Sequence, residues 1–97
     1  MRTLLVRERV VPADRTAAYH DAWKQVVYTA GMIGIRAWIF RSAATQDHYL
    51  EFVEWKAEAA PPGTGDVAPP AGMIAVLHAL DMIAPAMNSG AWKEWKE

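Results

Sequence analysis

The chain has 97 residues, 53% of them hydrophobic, no cysteine, and a formal charge of −1 from ten basic and eleven acidic side chains. This composition is typical of one globular domain spanning residues 1–97; it argues against nucleic acid as a partner and excludes disulfides, thiolate metal sites and cysteine nucleophiles. Charged residues interrupt the apolar N-terminal stretch and no run of about 18 apolar residues follows, so we expect a cytoplasmic protein with neither a signal peptide nor a membrane-spanning helix.

The first two predicted elements are a strand and a helix. Residues 3–11 (TLLVRERVV) are rich in β-branched side chains, and the following Pro12 ends the strand. A helix is predicted from residue 15 to about residue 30, with Asp14 as its N-cap and Gly31 as its C-cap residue. One face of that helix is apolar at the expected spacing, and it consists of Tyr19, Trp23, Val26 and Ala30.

Two further strands follow and form a predicted hairpin. Residues 35–42 (IRAWIFRS) come after Gly34, and a short polar turn at 45–47 leads into residues 48–56, HYLEFVEWK. Alternate side chains of a strand point to opposite faces, so each face of HYLEFVEWK carries large apolar groups and one glutamate. A strand with one face in water would alternate more cleanly, and both faces of this strand therefore need a cover.

The last third of the chain begins with a change of composition. Residues 57–72 contain four prolines, three glycines and few bulky side chains. This composition predicts a mobile loop, with a lid over a binding site as its hypothetical role. Residues 73–84 (MIAVLHALDMIA) have the apolar stripe of a second helix, which Pro85 ends. Residues 90–97 are predicted to form a final strand, with Trp92 and Trp95 on opposite faces.

The order β-α-β-β-α-β indicates an α+β, ferredoxin-like fold, in which a four-stranded antiparallel sheet carries both helices on one face. The strands are apolar on both sides, so the second sheet face would expose a large apolar patch if it stayed uncovered. The simplest cover is the same face of a second copy, which predicts a homodimer joined sheet to sheet as an α+β barrel. The alternative is that the C-terminus or the 57–72 loop folds across that face.

A run of structural features in residues 31–56 points to a known family. It has a glycine turn after the first helix, an apolar strand ending in an Arg-Ser pair, and a strand ending in Glu-x-Trp. These features are carried by Gly31, Gly34, Arg41, Ser42, Glu54 and Trp55. With them the chain resembles the antibiotic biosynthesis monooxygenase-like (ABM-like) family of dimeric α+β barrel proteins, by pattern over residues 3–56 and by element order beyond.

The resemblance implies a small-molecule cavity between each sheet and its own helices. Some members oxidise quinol-like or polyketide aromatics without metal or flavin, others degrade haem, and many have no known activity. We therefore expect a protein that binds a small apolar or aromatic molecule, with no cofactor, as a cofactor-independent monooxygenase. The alternative is a non-catalytic dimeric module for ligand binding, stress or regulation. Haem is the least favoured ligand, because the first strand lacks the asparagine that haem-degrading members share.

Such chemistry needs a base, oxyanion donors and a dry pocket, and the sequence supplies candidates without a diagnostic motif. The candidate catalytic bases are His48 and His78. The candidate ligand-binding residues are Tyr28, Trp38, Phe52, Trp55 and Arg41. The three histidines are scattered, so no metal site is expected.

Each candidate also has a structural interpretation. His78 and Asp81 could form a base oriented by a carboxylate or an exposed i,i+3 pair, and we favour the exposed pair. His48 flanks a turn, which favours a surface position, and the tryptophans are more often core or interface residues than ligand walls. Glu8 and Glu51 lie within strands, where each is an edge or interface charge paired with an arginine, or a carboxylate in a cavity; we favour the edge or interface charge.

Overall fold

Four strands and two α-helices occur along the chain in the order β-α-β-β-α-β in the computed structural model, which describes residues 2–56 and 69–95. The elements are β1 (Arg2–Val10), α1 (Thr16–Met32), β2 (Arg36–Arg41), β3 (His48–Lys56), α2 (Ala71–Ile83) and β4 (Ala86–Lys93). A short 3-10 turn, Ala13–Arg15, precedes α1. Among the described residues, neither helix is long and apolar enough to cross a membrane.

The strands form one antiparallel sheet in the order β2-β3-β1-β4. The central strand β1 pairs with β3 over its full length, from Arg2 opposite Lys56 to Val10 opposite His48. On its other side β1 pairs with β4, with a bulge between Glu8 and Arg9. This arrangement confirms the α+β, ferredoxin-like fold expected from the order of the elements.

The two faces of the sheet have different surroundings. On β3, Tyr49, Val53 and Trp55 are buried in one core cluster together with side chains of α1 and α2, so the odd-numbered residues of this strand lie beneath the helices. We call this the inner face, and the opposite side of the sheet the outer face. The alternation of HYLEFVEWK therefore places one glutamate and three large apolar side chains under the helices.

The outer face carries an aromatic cluster. Trp38 of β2 stacks on Phe52 of β3 with ring centroids 5.3 Å apart, and Phe40 meets Phe52 edge-on at 5.6 Å. Phe40, Leu50 and Trp92 are exposed in the single chain. The second apolar face that the sequence predicts is thus present on the structure.

Several boundaries differ from those predicted. Helix α1 continues through Gly31 to Met32, and the residue with a positive φ is Gly34, at 74°, rather than Gly31. Asp14 lies within the 3-10 turn and the N-terminus of α1 has no side-chain cap. Strand β4 begins at Ala86 rather than at residue 90, because its register against β1 outweighs the weak strand propensity of AMNSG.

The early start of β4 also changes the end of the chain. Since β4 finishes at Lys93, Trp92 lies on the outer face, opposite Leu4, and Trp95 follows the strand instead of occupying its other face. Helix α2 begins at Ala71, within the segment predicted as a loop. The rest of that segment, residues 57–68, lies outside the described residues, and so does the predicted lid.

Replacing Gly34 with Ala should lower the free energy of unfolding by about 1–2 kcal/mol, because an L-residue with a Cβ is strained at positive φ. A Cβ would meet nothing within 4 Å at Gly34 or at Gly31, so the two sites differ in backbone conformation and not in space. The matched control Gly31→Ala should raise stability by about 0.5–1 kcal/mol, since alanine favours the helix interior. Urea denaturation measures both, and equal effects would contradict the assignment of the turn to Gly34.

Candidate functional site

The inner face of the sheet contains charged side chains that the helices cover. Arg7 and Arg9 of β1 point to this face, and Glu51 of β3 lies directly opposite Arg7 in the strand ladder. Arg9 is 0% exposed, Glu51 1% and Arg7 8%. Charged groups are almost never buried this deeply without partners, so their pairing decides what the site can do.

Arg9 and Glu51 form a two-pronged ion pair. Nε of Arg9 donates to Oε2 of Glu51 at 2.8 Å, and Nη2 donates to Oε1 at 3.1 Å. Burial by itself lowers the pKa of Arg9, but the hydrogen bonds and negative charges of Glu51 and Asp81 outweigh it and raise that pKa above its usual value. Arg9 therefore keeps its positive charge inside the protein.

Tyr19 of α1 completes the surroundings of this carboxylate. Its hydroxyl donates to Oε2 of Glu51 at 2.7 Å. Burial raises the pKa of Tyr19 far above its usual value, and the neighbouring charge of Glu51 raises it further. Tyr19 is thus a neutral donor, and Glu51 is satisfied by Arg9 and Tyr19 without Arg7.

The C-terminal end of α2 is held by arginines. Nη1 of Arg9 lies 3.1 Å from Oδ1 of Asp81, and Nη2 of Arg7 donates to the same oxygen. Arg9 also donates to the carbonyl of Ala84, while Nη1 of Arg15 donates to the carbonyl of Ile83 at 2.6 Å. The last carbonyls of a helix lack partners within the helix and carry its negative dipole end, so these cations stabilise it.

An open cleft of about 700 Å³ lies between α2 and strands β1 and β4. Both apolar and polar side chains line it, and those described are Leu5, Arg7, Pro69, Ile74, Leu77, His78, Asp81, Pro85, Ala86 and Ser89. Arg7 and Ser89 are opposite each other in the β1–β4 ladder, and His78 and Asp81 belong to α2. Apolar walls with a few converging polar groups are typical of small-molecule sites.

Of the predicted site residues, only His78 lines this cleft. Asp81, its candidate partner, bonds to Arg7 and Arg9, and within residues 2–56 and 69–95 no hydrogen bond joins His78 to Asp81. Neither the oriented base nor the i,i+3 pair is therefore formed. Asp81 bonds to arginines of the sheet instead, so contacts between distant segments replace the His78–Asp81 pair within α2.

His48 lies on the outer face, remote from His78. Its Nε2 is 2.6 Å from Oε1 of Glu8, and Asn88 donates to Oε2 of the same carboxylate at 3.1 Å. Both hydrogen bonds hold the pKa of Glu8 below its usual value, and the one from Asn88 has the larger effect. His48 borders a separate pocket of about 300 Å³ together with Arg41.

The other predicted ligand residues are dispersed. Trp38 and Phe52 stack on the outer face, and Tyr28 is exposed on α1. Trp55 is buried on the inner face and borders a pocket of about 450 Å³ that also contacts Arg36. Apart from the stacked pair of Trp38 and Phe52, the structure does not bring these residues together at one site, and their roles in ligand binding stay predictions.

Sequence reasoning did not select Arg7 and Ser89 as site residues, and it considered Asp81 only as a partner of His78. All three line the cleft. A signal for Arg7 was present, because Arg7 and Arg9 share one face of β1 and a carboxylate, Glu51, interrupts an apolar strand. The structure confirms that Glu51 pairs with arginines of β1, but beneath the helices and not at an edge or an interface. No grouping of three potential metal ligands occurs among the described residues.

Comparison with known proteins relates the chain to one solved structure. No family model and no curated protein match the sequence. SnoaB, a cofactor-independent oxygenase from Streptomyces nogalater, has a similar structure with a TM-score of 0.67 and 14% sequence identity, over 99% of this chain and 95% of SnoaB. At this identity the likeness shows the fold alone, and it agrees with the α+β, ferredoxin-like arrangement that the sequence predicts.

Tyr19→Phe should lower the free energy of unfolding by about 1.5–3 kcal/mol at neutral pH, because it removes a hydrogen bond to a buried carboxylate. In the wild type, stability should also fall above about pH 10 by about 1.4 kcal/mol per pH unit, since only the unfolded chain releases the proton of Tyr19 there. In Tyr19→Phe this contribution to the pH dependence of the free energy of unfolding should be absent. Denaturant titrations between neutral and alkaline pH measure both effects.

The matched control is Tyr49→Phe. The rings of Tyr19 and Tyr49 are 4.7 Å apart, but the hydroxyl of Tyr49 lies 3.1 Å from Nε2 of the exposed His20 and not against a buried charge. Its loss should therefore cost less than about 1 kcal/mol. Equal costs for the two variants would contradict the assigned role of the Tyr19–Glu51 bond.

Proposed function

We propose that the cleft between α2 and the sheet binds a small apolar or aromatic molecule, and that the protein is a cofactor-independent monooxygenase acting on a quinol-like aromatic substrate. The observation that carries the proposal is the cleft itself, in which Arg7, Ser89 and His78 converge between apolar walls. The likeness to SnoaB supports it at the level of the fold. Fold alone does not determine activity, so the chemistry has to come from these side chains.

Each group has a role in such a reaction. Oxidation of such a substrate by O₂ begins when a base removes a proton from a ring hydroxyl, or from the activated CH₂ group of an anthrone, and His78 is the imidazole among the described residues of the cleft. Arg7 and Ser89 are placed to donate to the oxygen on which negative charge develops. One oxygen atom then forms the new carbonyl and the other leaves as water, while the substrate supplies all of the electrons. The apolar side chains of Leu5, Ile74 and Leu77 line the cleft and would contact the ring system of the substrate.

A non-catalytic ligand-binding or regulatory module is the second candidate. The observation in its favour is that His78 has no orienting hydrogen bond within the described part of the chain, since Asp81 is engaged by arginines. An efficient general base is usually oriented by a third group. Binding of an aromatic ligand without turnover would select this candidate.

The wild type should consume oxygen in the presence of an anthrone or a hydroquinone, and His78→Ala should lower kcat by about 10²-fold or more, because the proton acceptor is lost. An oxygen electrode with product analysis by mass spectrometry measures the reaction. The control is His20→Ala, which removes an exposed histidine of α1 outside the cleft and should leave the rate unchanged. If none of these compounds binds or reacts, the proposed function is wrong.

We also propose that a second copy of the chain covers the outer face. Trp38, Phe40 and Phe52 form a continuous aromatic surface there, and Arg36 lies 5.7 Å above the ring of Trp38. Arg36 and Glu54 are paired in the β2–β3 ladder, so the same face carries charges of both signs. A surface that is apolar in the centre and self-complementary in charge fits a two-fold symmetric dimer.

Phe40→Glu should convert the dimer to a monomer, because the new carboxylate would be buried without a partner at the dimer interface. Phe40 is 61% exposed in the single chain, and the matched control Tyr28→Glu replaces an aromatic residue that is 66% exposed on α1. The control should keep the dimer mass. Light scattering at micromolar concentration measures both, and a monomeric wild type would refute the dimer.

A further inference from the structure

We propose that the cleft selects ligands that carry an anionic oxygen, and that Asp81 is an internal carboxylate which such an oxygen displaces from Arg7. The inference rests on the proposed function, because it concerns the same cleft, but it specifies the chemical class of the ligand. The class is an aromatic molecule with a carboxylate or with an ionised phenol or enol. The exchange depends on how each buried charge on the inner face of the sheet is satisfied.

Arg7 is the cation that the cleft can offer to a ligand. Its side chain is buried and lines the cleft, and a guanidinium keeps its charge in proteins. Among the described lining residues, Arg7 is the one with a permanent positive charge. Its hydrogen bond within the described residues goes to Asp81, while Glu51 lies 3.8 Å from its Nε, beyond hydrogen-bond distance.

Glu51 makes no hydrogen bond to Arg7, although the charged atoms of the two side chains are 3.8 Å apart. Its two oxygens accept two hydrogen bonds from Arg9 and one from Tyr19. These bonds remain when Arg7 turns to another acceptor. The charge of the buried Arg9–Glu51 pair is therefore balanced independently of the cleft.

Asp81 can leave Arg7 without being left unpaired in the interior. It keeps Arg9, whose Nη1 is 3.1 Å from Oδ1, and its side chain is 40% exposed, so water can solvate the freed oxygen. A ligand anion that replaces it gives Arg7 a new charge-assisted partner. The exchange thus creates no buried unpaired charge, which is the usual cost of breaking an ion pair.

The donors around Arg7 favour an anion over a neutral ligand. Ser89 is opposite Arg7 on β4 and supplies a hydroxyl, and His78 supplies a ring N–H from α2. A neutral aromatic ligand has no oxygen able to compete with the carboxylate of Asp81 for Arg7. It would bind beside an intact Arg7–Asp81 pair, and its affinity would not depend on Asp81.

The test is isothermal titration calorimetry at low salt with hydroxynaphthoate, its methyl ester and naphthol. The wild type should bind hydroxynaphthoate about tenfold more tightly than the ester, since one charge-assisted hydrogen bond distinguishes the two. Asp81→Asn removes the competing anion and should tighten hydroxynaphthoate binding by about three- to tenfold, with the ester unchanged. The matched control Asp21→Asn makes the same charge change at an exposed position of α1 and should have no effect.

Arg7→Met should abolish the preference for the acid over the ester, and Arg7→Lys should retain part of it, because a lysine keeps the charge but not the planar donor pair. If Arg7→Met does not fold, Asp81→Asn still tests the exchange. Equal affinities of the wild type for acid and ester, or no gain with Asp81→Asn, would overturn the exchange and leave the cleft a binding site. Failure of all three compounds to bind would instead refute the proposed function.

Discussion

The buried ion pair between Arg9 and Glu51 is the interaction on which the rest of the structure depends. It joins the two central strands, β1 and β3, on the face that the helices cover. Tyr19 of α1 bonds to its carboxylate, and Asp81 of α2 to its guanidinium. Removing one partner from such a pair typically costs about 3–5 kcal/mol. The position of both helices on the sheet is thus fixed by hydrogen bonds as well as by apolar packing.

The same pair makes the cleft chemically usable. Because Glu51 is satisfied by Arg9 and Tyr19, Arg7 remains at the wall of the cleft with Asp81 as its hydrogen-bond partner among the described residues. A cation paired with a half-exposed acid can change partners, whereas one paired with a buried acid cannot. The inner face therefore combines a rigid charge pair with an exchangeable one, and the outer face carries aromatic side chains suited to a second subunit.

Much of the fold could be predicted from local patterns. The element order led to the ferredoxin-like sheet, which the structure confirms. The two-sided character of HYLEFVEWK led to the second apolar face, which the aromatic cluster of the outer face forms. The predicted ends of the elements were wrong where pairing with another strand outweighs the local secondary-structure propensity. Strand β4, for example, starts at Ala86 because it pairs with β1 from that residue on. The candidate site was harder to predict. His78 lines the cleft. His48, Trp38 and Phe52 lie on the outer face instead, because their side chains point to the opposite side of the sheet from those of Arg7 and Glu51.

The alternation of side chains along a strand is a local property of the backbone, so the amino-acid pattern alone specified that both faces of the sheet need a cover. Which face lies under the helices, and which residues meet there, follows from the pairing and packing of the elements. Arg7, Glu51 and Asp81 are remote in sequence and come together through the pairing of β1 with β3 and the docking of α2. Such contacts depend on register and packing between distant segments, which no local pattern specifies.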